Sequence, residues 1–153
     1  MVQVNVVALT ALMKLFLPPM VQRGYGKVLN VASTAAFQPG PLMAVYYATK
    51  AYVLSLSEAV ATELDGTNVT LTTLCPGPTA TGFQKSADMD GSKLFRGGKV
   101  MQAKRVAQLG FDALMAGKRL AIPGIYNRLM AESVRFVPRK LATQIVQKIQ
   151  AKA

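Results

Sequence analysis

Two short apolar runs constrain this chain more than any other feature: KVLNVAS at residues 27–33 and NVTLTTLC at residues 68–75. Both are rich in β-branched residues, and the first is apolar on both faces, the pattern of a fully buried parallel strand. Between them, residues 43–64 have helical length and spacing, and Gly66 stands where a C-terminal capping glycine belongs. Two such strands joined by a helix pair in parallel through a right-handed crossover. A further helix over residues 102–116 leads to a third short strand, RLAIP at 119–123. Ahead of them lies a helical pattern from Val6 to Val21. Residues 34–42, with Gln38-Pro39-Gly40-Pro41, form a loop, and residues 79–99 are irregular. Residues 125–152 are helical with a break near Pro138. This order predicts one α/β domain over residues 1–153. Its first strand lacks a neighbour on one side. The chain therefore reads as the second part of a doubly wound sheet, with an edge prone to association.

Composition removes whole classes of chemistry. Cys75 is the single cysteine, so no disulfide framework exists, and inert burial is its expected role. Histidine is absent, which excludes histidine metal sites and Ser-His triads. No G-x-G-x-x-G run follows a strand anywhere in the 153 residues. The net charge of +11 resides entirely in residues 93–153, where 13 basic residues face only Asp112 and Glu132. A solvated face accounts for this bias, and an anionic partner is the alternative. Nucleic acid is disfavoured, because the basic residues are not interleaved with stacking aromatics. Segment 126–152 is expected to pack Leu129, Val134, Phe136, Leu141, Ile145 and Ile149 on the sheet, with a peripheral contact to an anionic membrane left open. The apolar start is interrupted by Lys14 and ended by Pro18-Pro19, too short to span a bilayer. The chain reads as soluble and cytoplasmic.

Chemistry concentrates in a few residues. Tyr46 and Lys50 stand four apart in YYATK, on one face of the predicted helix. A phenol beside a fixed positive charge is an acid/base unit, because the charge favours the phenolate. Tyr47, three residues from Lys50, competes for the role. It points about 100° further round the helix and is expected to pack or to line the pocket. Ser33 ends the first strand, where carboxyl ends of parallel strands open into a ligand crevice. A hydroxyl there either holds a substrate oxygen or bonds its own backbone. Asn5 reads as an N-cap of the first helix. Pro76-Gly77-Pro78-Thr79 follows the second strand, and Thr79 and Thr81 offer hydroxyls to a ligand across the sheet edge. Phe37, Leu42, Met43, Phe83, Met89 and Leu94 are candidates for an apolar pocket wall.

Taken in order, NVVALTALMKLFLPPM, GKVLNVAS, YYATK and NVTLTTLCPGPTATGF resemble the classical short-chain dehydrogenase/reductase family, with family-like separations. The resemblance implies a Rossmann-like, three-layer α/β/α domain that transfers hydride between NAD(P)(H) and a carbonyl or alcohol. It implies Tyr46 as the acid/base, and Ser33, thirteen residues earlier, as the group that polarises the substrate carbonyl. Lys50 would bind the nicotinamide ribose and assist the tyrosine, and Asn5 would hold a water in the proton relay. Pro76, Gly77 and Thr79 would lie along the nicotinamide, and Thr81 near the pyrophosphate. NAD or NADP is the implied cofactor, with NADP favoured, and a small apolar carbonyl or alcohol the substrate. A homo-oligomer through helices 6–21 and 43–64 is expected. The strand, glycine-rich turn and cofactor-selecting strand with which relatives begin have no counterpart here. This departure implies an N-terminally truncated, catalytic and C-terminal portion with little turnover of its own. The alternative is an inactive fragment that dimerises or binds an anionic surface.

Overall fold

A computed structural model describes residues 1–82 and 100–150. A π-helical turn, Gln3–Ala8, runs into helix α1, Leu9–Gln22, and strand β1 follows at Gly26–Val31. A 3-10 turn at Thr34–Phe37 precedes helix α2, Ala44–Glu63, and strand β2, Val69–Leu74. Two-residue strands β3, Thr79–Ala80, and β4, Met101–Gln102, flank the interval outside the described residues. Helix α3, Ala103–Met115, leads to β5, Leu120–Ala121. Helix α4, Ile125–Ser133, a 3-10 turn at Val134–Phe136 and helix α5, Arg139–Gln150, complete the order.

The sheet is parallel, ordered β1-β2-β5, with Gly26 opposite Val69 and Val31 opposite Leu74. Alternation along β2 explains the layers. Val69 and Leu71 meet Met13 of α1 and Ala61 and Leu64 at the end of α2. Leu74, on the opposite face, meets Gly110 of α3, where an added Cβ would lie 2.7 Å from Leu74 Cδ2. Helices on both faces of a parallel sheet make the α/β/α sandwich expected from the strand pattern. Pairing with β2 leaves β1 with one open side among the described residues.

Several boundaries differ from expectation, each for a physical reason. Strand β1 is not covered on both faces: Val31 is 48% exposed, because α3 reaches only part of that face. The third strand shrinks from residues 119–123 to Leu120–Ala121, the two residues that find register with Thr73 and Leu74. Pro18 and Pro19 lie inside α1 and do not end it. The helical stretch Gln3–Gln22 is therefore 20 residues long and, by length and composition, apolar enough to cross a membrane, contrary to the reading from its interruptions. Only 6% of that stretch is buried here; Met13 is its inward anchor. The C-terminal segment also departs from expectation. It does pack, but α4 rests on the 3-10 turn after β1, and Val146 of α5 rests on Tyr47 and Ala35, so the sheet is not its floor. Small residues, Ala131 and Ala142, make the close approach, while Leu129, Phe136, Leu141 and Ile145 stay exposed.

Candidate active site

The parallel register brings the carboxyl ends of β1 and β2 together. Pairing continues past both strands, with Ala32 N–H donating to Leu74 O and Thr34 N–H to Pro76 O, so Ser33 lies beside Pro76. The Ser33 backbone is extended, and its Oγ accepts from Ala35 N–H at 3.1 Å, capping the 3-10 turn. The same hydroxyl is hydrogen-bonded to the Tyr46 phenol. The backbone role and the site role of this serine coexist.

Helix α2 delivers Tyr46 and Lys50 from its first two turns. Lys50 Nζ donates to Val31 O at 2.9 Å and lies 6.0 Å from the centroid of the Tyr46 ring. Burial pushes the Tyr46 phenol above its usual 10.0, and the Ser33 hydrogen bond draws it part of the way back. Burial also lowers the Lys50 ammonium, opposed by the nearby Cys75 sulfur. The expected lowering of the phenol by Lys50 is therefore corrected: burial is the dominant influence on Tyr46 and raises it. A phenol held neutral near pH 7 carries the proton that a carbonyl oxygen needs.

Tyr47 is 7% exposed, and its hydroxyl accepts from the Gln150 amide of α5. Its ring lies against Gly40, where an added Cβ would stand 2.2 Å from ring carbons. Asn5 is not an N-cap. It sits within the π-helical turn, and its Nδ2 donates to Thr49 Oγ1 at 3.0 Å. Thr49 Oγ1 donates in turn to the carbonyl of Tyr46 at 2.9 Å. Thr79 Oγ1 turns inward to Gly77 O at 2.9 Å, and Thr81 is exposed at the rim.

One groove of about 830 Å³ collects Asn5, Ser33, Tyr46, Lys50, Pro76, Gly77, Thr79 and Thr81, residues spread over half the chain. Its apolar floor is Leu29, Val31 and Leu74, and its far wall is Val106 and Phe111 of α3. Met43 lines it as expected. Phe37 lines a separate cleft with Arg139, and Leu42 is 73% exposed at a left-handed φ of 68°. Phe83, Met89 and Leu94 lie outside the described residues. Thr49, Asn127 and Gln150 escaped sequence reasoning. Thr49 carried a usable signal, one turn from Tyr46 on the same helix. Asn127, whose amide covers Gly77, and Gln150 carried none. Cys75 is fully buried, and burial pushes its thiol up to about 12, so it is inert as expected. Among the described residues no group of three or more metal-ligating side chains forms.

The chain is similar to known proteins in sequence and in fold. The profile described as short chain dehydrogenase matches residues 1–91. The uncharacterized oxidoreductase YvrD of Bacillus subtilis is 42% identical over 79 residues, which is 52% of this chain and 30% of that protein. A solved 7beta-hydroxysteroid dehydrogenase superposes with a TM-score of 0.81 at 25% identity, covering 95% of this chain and 57% of that one. A short-chain dehydrogenase from Sphingobium yanoikuyae in complex with NADPH gives 0.75 at 26% identity, covering 92% and 54%. One from Burkholderia phymatum in complex with NAD gives 0.68 at 26% identity, covering 86% and 56%. The chain thus spans between about a third and somewhat over half the length of these relatives.

Proposed function

The chain belongs to the short-chain dehydrogenase family, and from that premise we propose that it is the catalytic portion of an NAD(P)-dependent oxidoreductase acting on a carbonyl or alcohol. One observation carries the reading: Ser33, Tyr46, Lys50 and the Pro76–Thr81 segment converge on one groove. The groove suits the nicotinamide end of such a cofactor. It has an apolar floor for a flat ring, an ammonium at Lys50 with donors beyond the one given to Val31 O, and Thr81 at its rim. Solved relatives hold NADPH and NAD alike, so both belong to the proposal and no preference between them.

When bound, the cofactor supplies or takes the hydride at the substrate carbon. The residues of this chain manage the oxygen. Ser33 Oγ donates to the carbonyl oxygen and fixes its position. Tyr46 Oη, neutral near pH 7, gives its proton to the same oxygen as charge develops there. Lys50 holds the ribose hydroxyls from one turn beyond the tyrosine. Asn5, tied through Thr49 to the Tyr46 carbonyl, stands where a water could re-protonate the phenol. The apolar walls suit an apolar substrate.

The test is reduction of a panel of ketones and aldehydes, followed by NADH and NADPH absorbance. It is run on this chain and on a chimera that adds the glycine-rich half of a relative. Turnover in the chimera that requires Tyr46 supports the reading, and a chimera that binds cofactor yet reduces nothing refutes it. As a partner, a second copy is proposed on the exposed face of α1, where Leu12, Leu15 and Phe16 are each more than half exposed. Sedimentation as a monomer at high concentration would refute that part.

A further inference from the structure

Helices α4 and α5 and the turn between them carry a surface that the proposed reaction does not use. Ile125 and Leu129, one helical turn apart, are 73% and 62% exposed. Phe136, at the tip of the turn, is 86% exposed, and Leu141 and Ile145, one turn apart on α5, are 48% and 41% exposed. A single exposed apolar residue is ordinary, but five within 21 residues, spread over two helices and the turn that joins them, call for a partner. These are side chains that helical periodicity would send to a core. They stay outside because Ala131, Ala142 and Val146 make the inward contacts.

The charge on this surface selects the partner. Residues 125–150 hold Arg128, Arg135, Arg139, Lys140 and Lys148 against Glu132 alone. All five cations are exposed, and the single carboxylate is already paired with Arg135 at 3.5 Å. Arg135 precedes Phe136 in the sequence, and Arg139 and Lys140 follow it within four residues. A second copy placed on this face would set like charge against like, which disfavours self-association here. An anionic bilayer satisfies both features at once. The aromatic and aliphatic side chains enter the headgroup boundary, while the long basic side chains bury their stems and keep their charges among the phosphates.

We propose that the face formed by α4, the Val134–Phe136 turn and α5 docks on an anionic lipid bilayer. The proposal stands apart from the oxidoreductase reading, since no residue on this face lines the groove at Tyr46.

The test is co-sedimentation of the full chain with two kinds of vesicle, phosphatidylcholine alone and phosphatidylcholine with phosphatidylglycerol in equal parts. The chain is expected to bind the mixed vesicles at physiological ionic strength, to leave them at high salt and to ignore the neutral ones. At roughly fivefold per charge near such a surface, the R135Q/R139Q/K140Q variant should partition on the order of a hundredfold more weakly. Phe136→Ser should weaken binding about tenfold. Both changes fall on exposed residues, and an unaltered circular dichroism spectrum confirms their folding. Leu15→Ser, on the exposed face of α1, should bind like the parent. Equal binding to neutral vesicles, no binding to either kind, or loss of binding in Leu15→Ser but not in Phe136→Ser would each overturn the proposal. So would an oligomer that Phe136→Ser dissolves.

Discussion

The ring of Tyr47 stands edge-on to that of Tyr46, at 78° with 6.0 Å between centroids. Neighbours in sequence, the two phenols face different worlds: Tyr46 bonds to Ser33 in the groove, and Tyr47 bonds to Gln150 under α5. In the chimera, Tyr46→Phe should therefore lower kcat by about 10²–10⁴ with cofactor binding retained. Tyr47→Phe should keep most of the rate. Steady-state kinetics beside a cofactor fluorescence titration separates the two, and equal losses would defeat the assignment of the acid.

Thr49 links the π-helical turn to α2 through two hydrogen bonds, one from Asn5 and one to the Tyr46 carbonyl. Thr49→Val keeps the shape and strands the Asn5 amide. Chemical denaturation should reveal a loss of about 0.5–1.5 kcal/mol, the usual net worth of a part-buried hydrogen bond. Thr49→Ser, which restores the hydroxyl, should recover most of it.

Gly40 has no room for a side chain, since its missing Cβ would fall 2.2 Å from the Tyr47 ring. Gly40→Ala must push that ring toward α5. Overpacking of this kind costs about 1–3 kcal/mol, read as a lowered Tm. A larger loss of substrate affinity than of cofactor affinity is also expected, because the displaced ring borders the groove. An unchanged Tm would show that the loop absorbs the methyl group.

Cys75 supplies a pH dependence. Its thiol rises from 9.0 to about 12 on folding because burial penalises the thiolate. An acid raised in the folded state stabilises fully below its unfolded value and loses that contribution as pH climbs to the folded one. Stability should therefore fall between pH 9 and pH 12, with the raised Tyr46 and Tyr47 acting in the same direction above 10.0. Cys75→Ala should flatten part of the decline in a Tm-against-pH series. Native protein should resist a thiol reagent at pH 8 and react once unfolded.

What the sequence made legible was local or strictly periodic. Strand β2 reads from its β-branched run, Tyr46 and Lys50 from a spacing that a helix converts directly into proximity, and Ser33 from its place at the carboxyl end of β1. Long-range partners were invisible. The Gln150 amide meets Tyr47 across 103 residues and Asn5 meets Thr49 across 44, separations with no periodic signature. The C-terminal helices misled for another reason. Apolar periodicity says that a helix has an oily side, but not that the oily side is the packed one. In α4 and α5 the tight contacts went to alanines, whose small size permits close approach, and the larger residues were left outside.

The π-helical turn at Gln3–Ala8 holds one residue more than an α-helical turn over the same rise. That makes the site sensitive to a kind of change that substitution scanning never samples. Removing one residue from this turn, Val6 for instance, would let it relax into ordinary α-helix with no harm to α1 downstream. Everything upstream would then rotate by about 100° about the helix axis, and the Asn5 amide would swing away from Thr49. A one-codon deletion here would leave α1 in register but break the Asn5–Thr49 hydrogen bond, and with it the chain that ends at Tyr46.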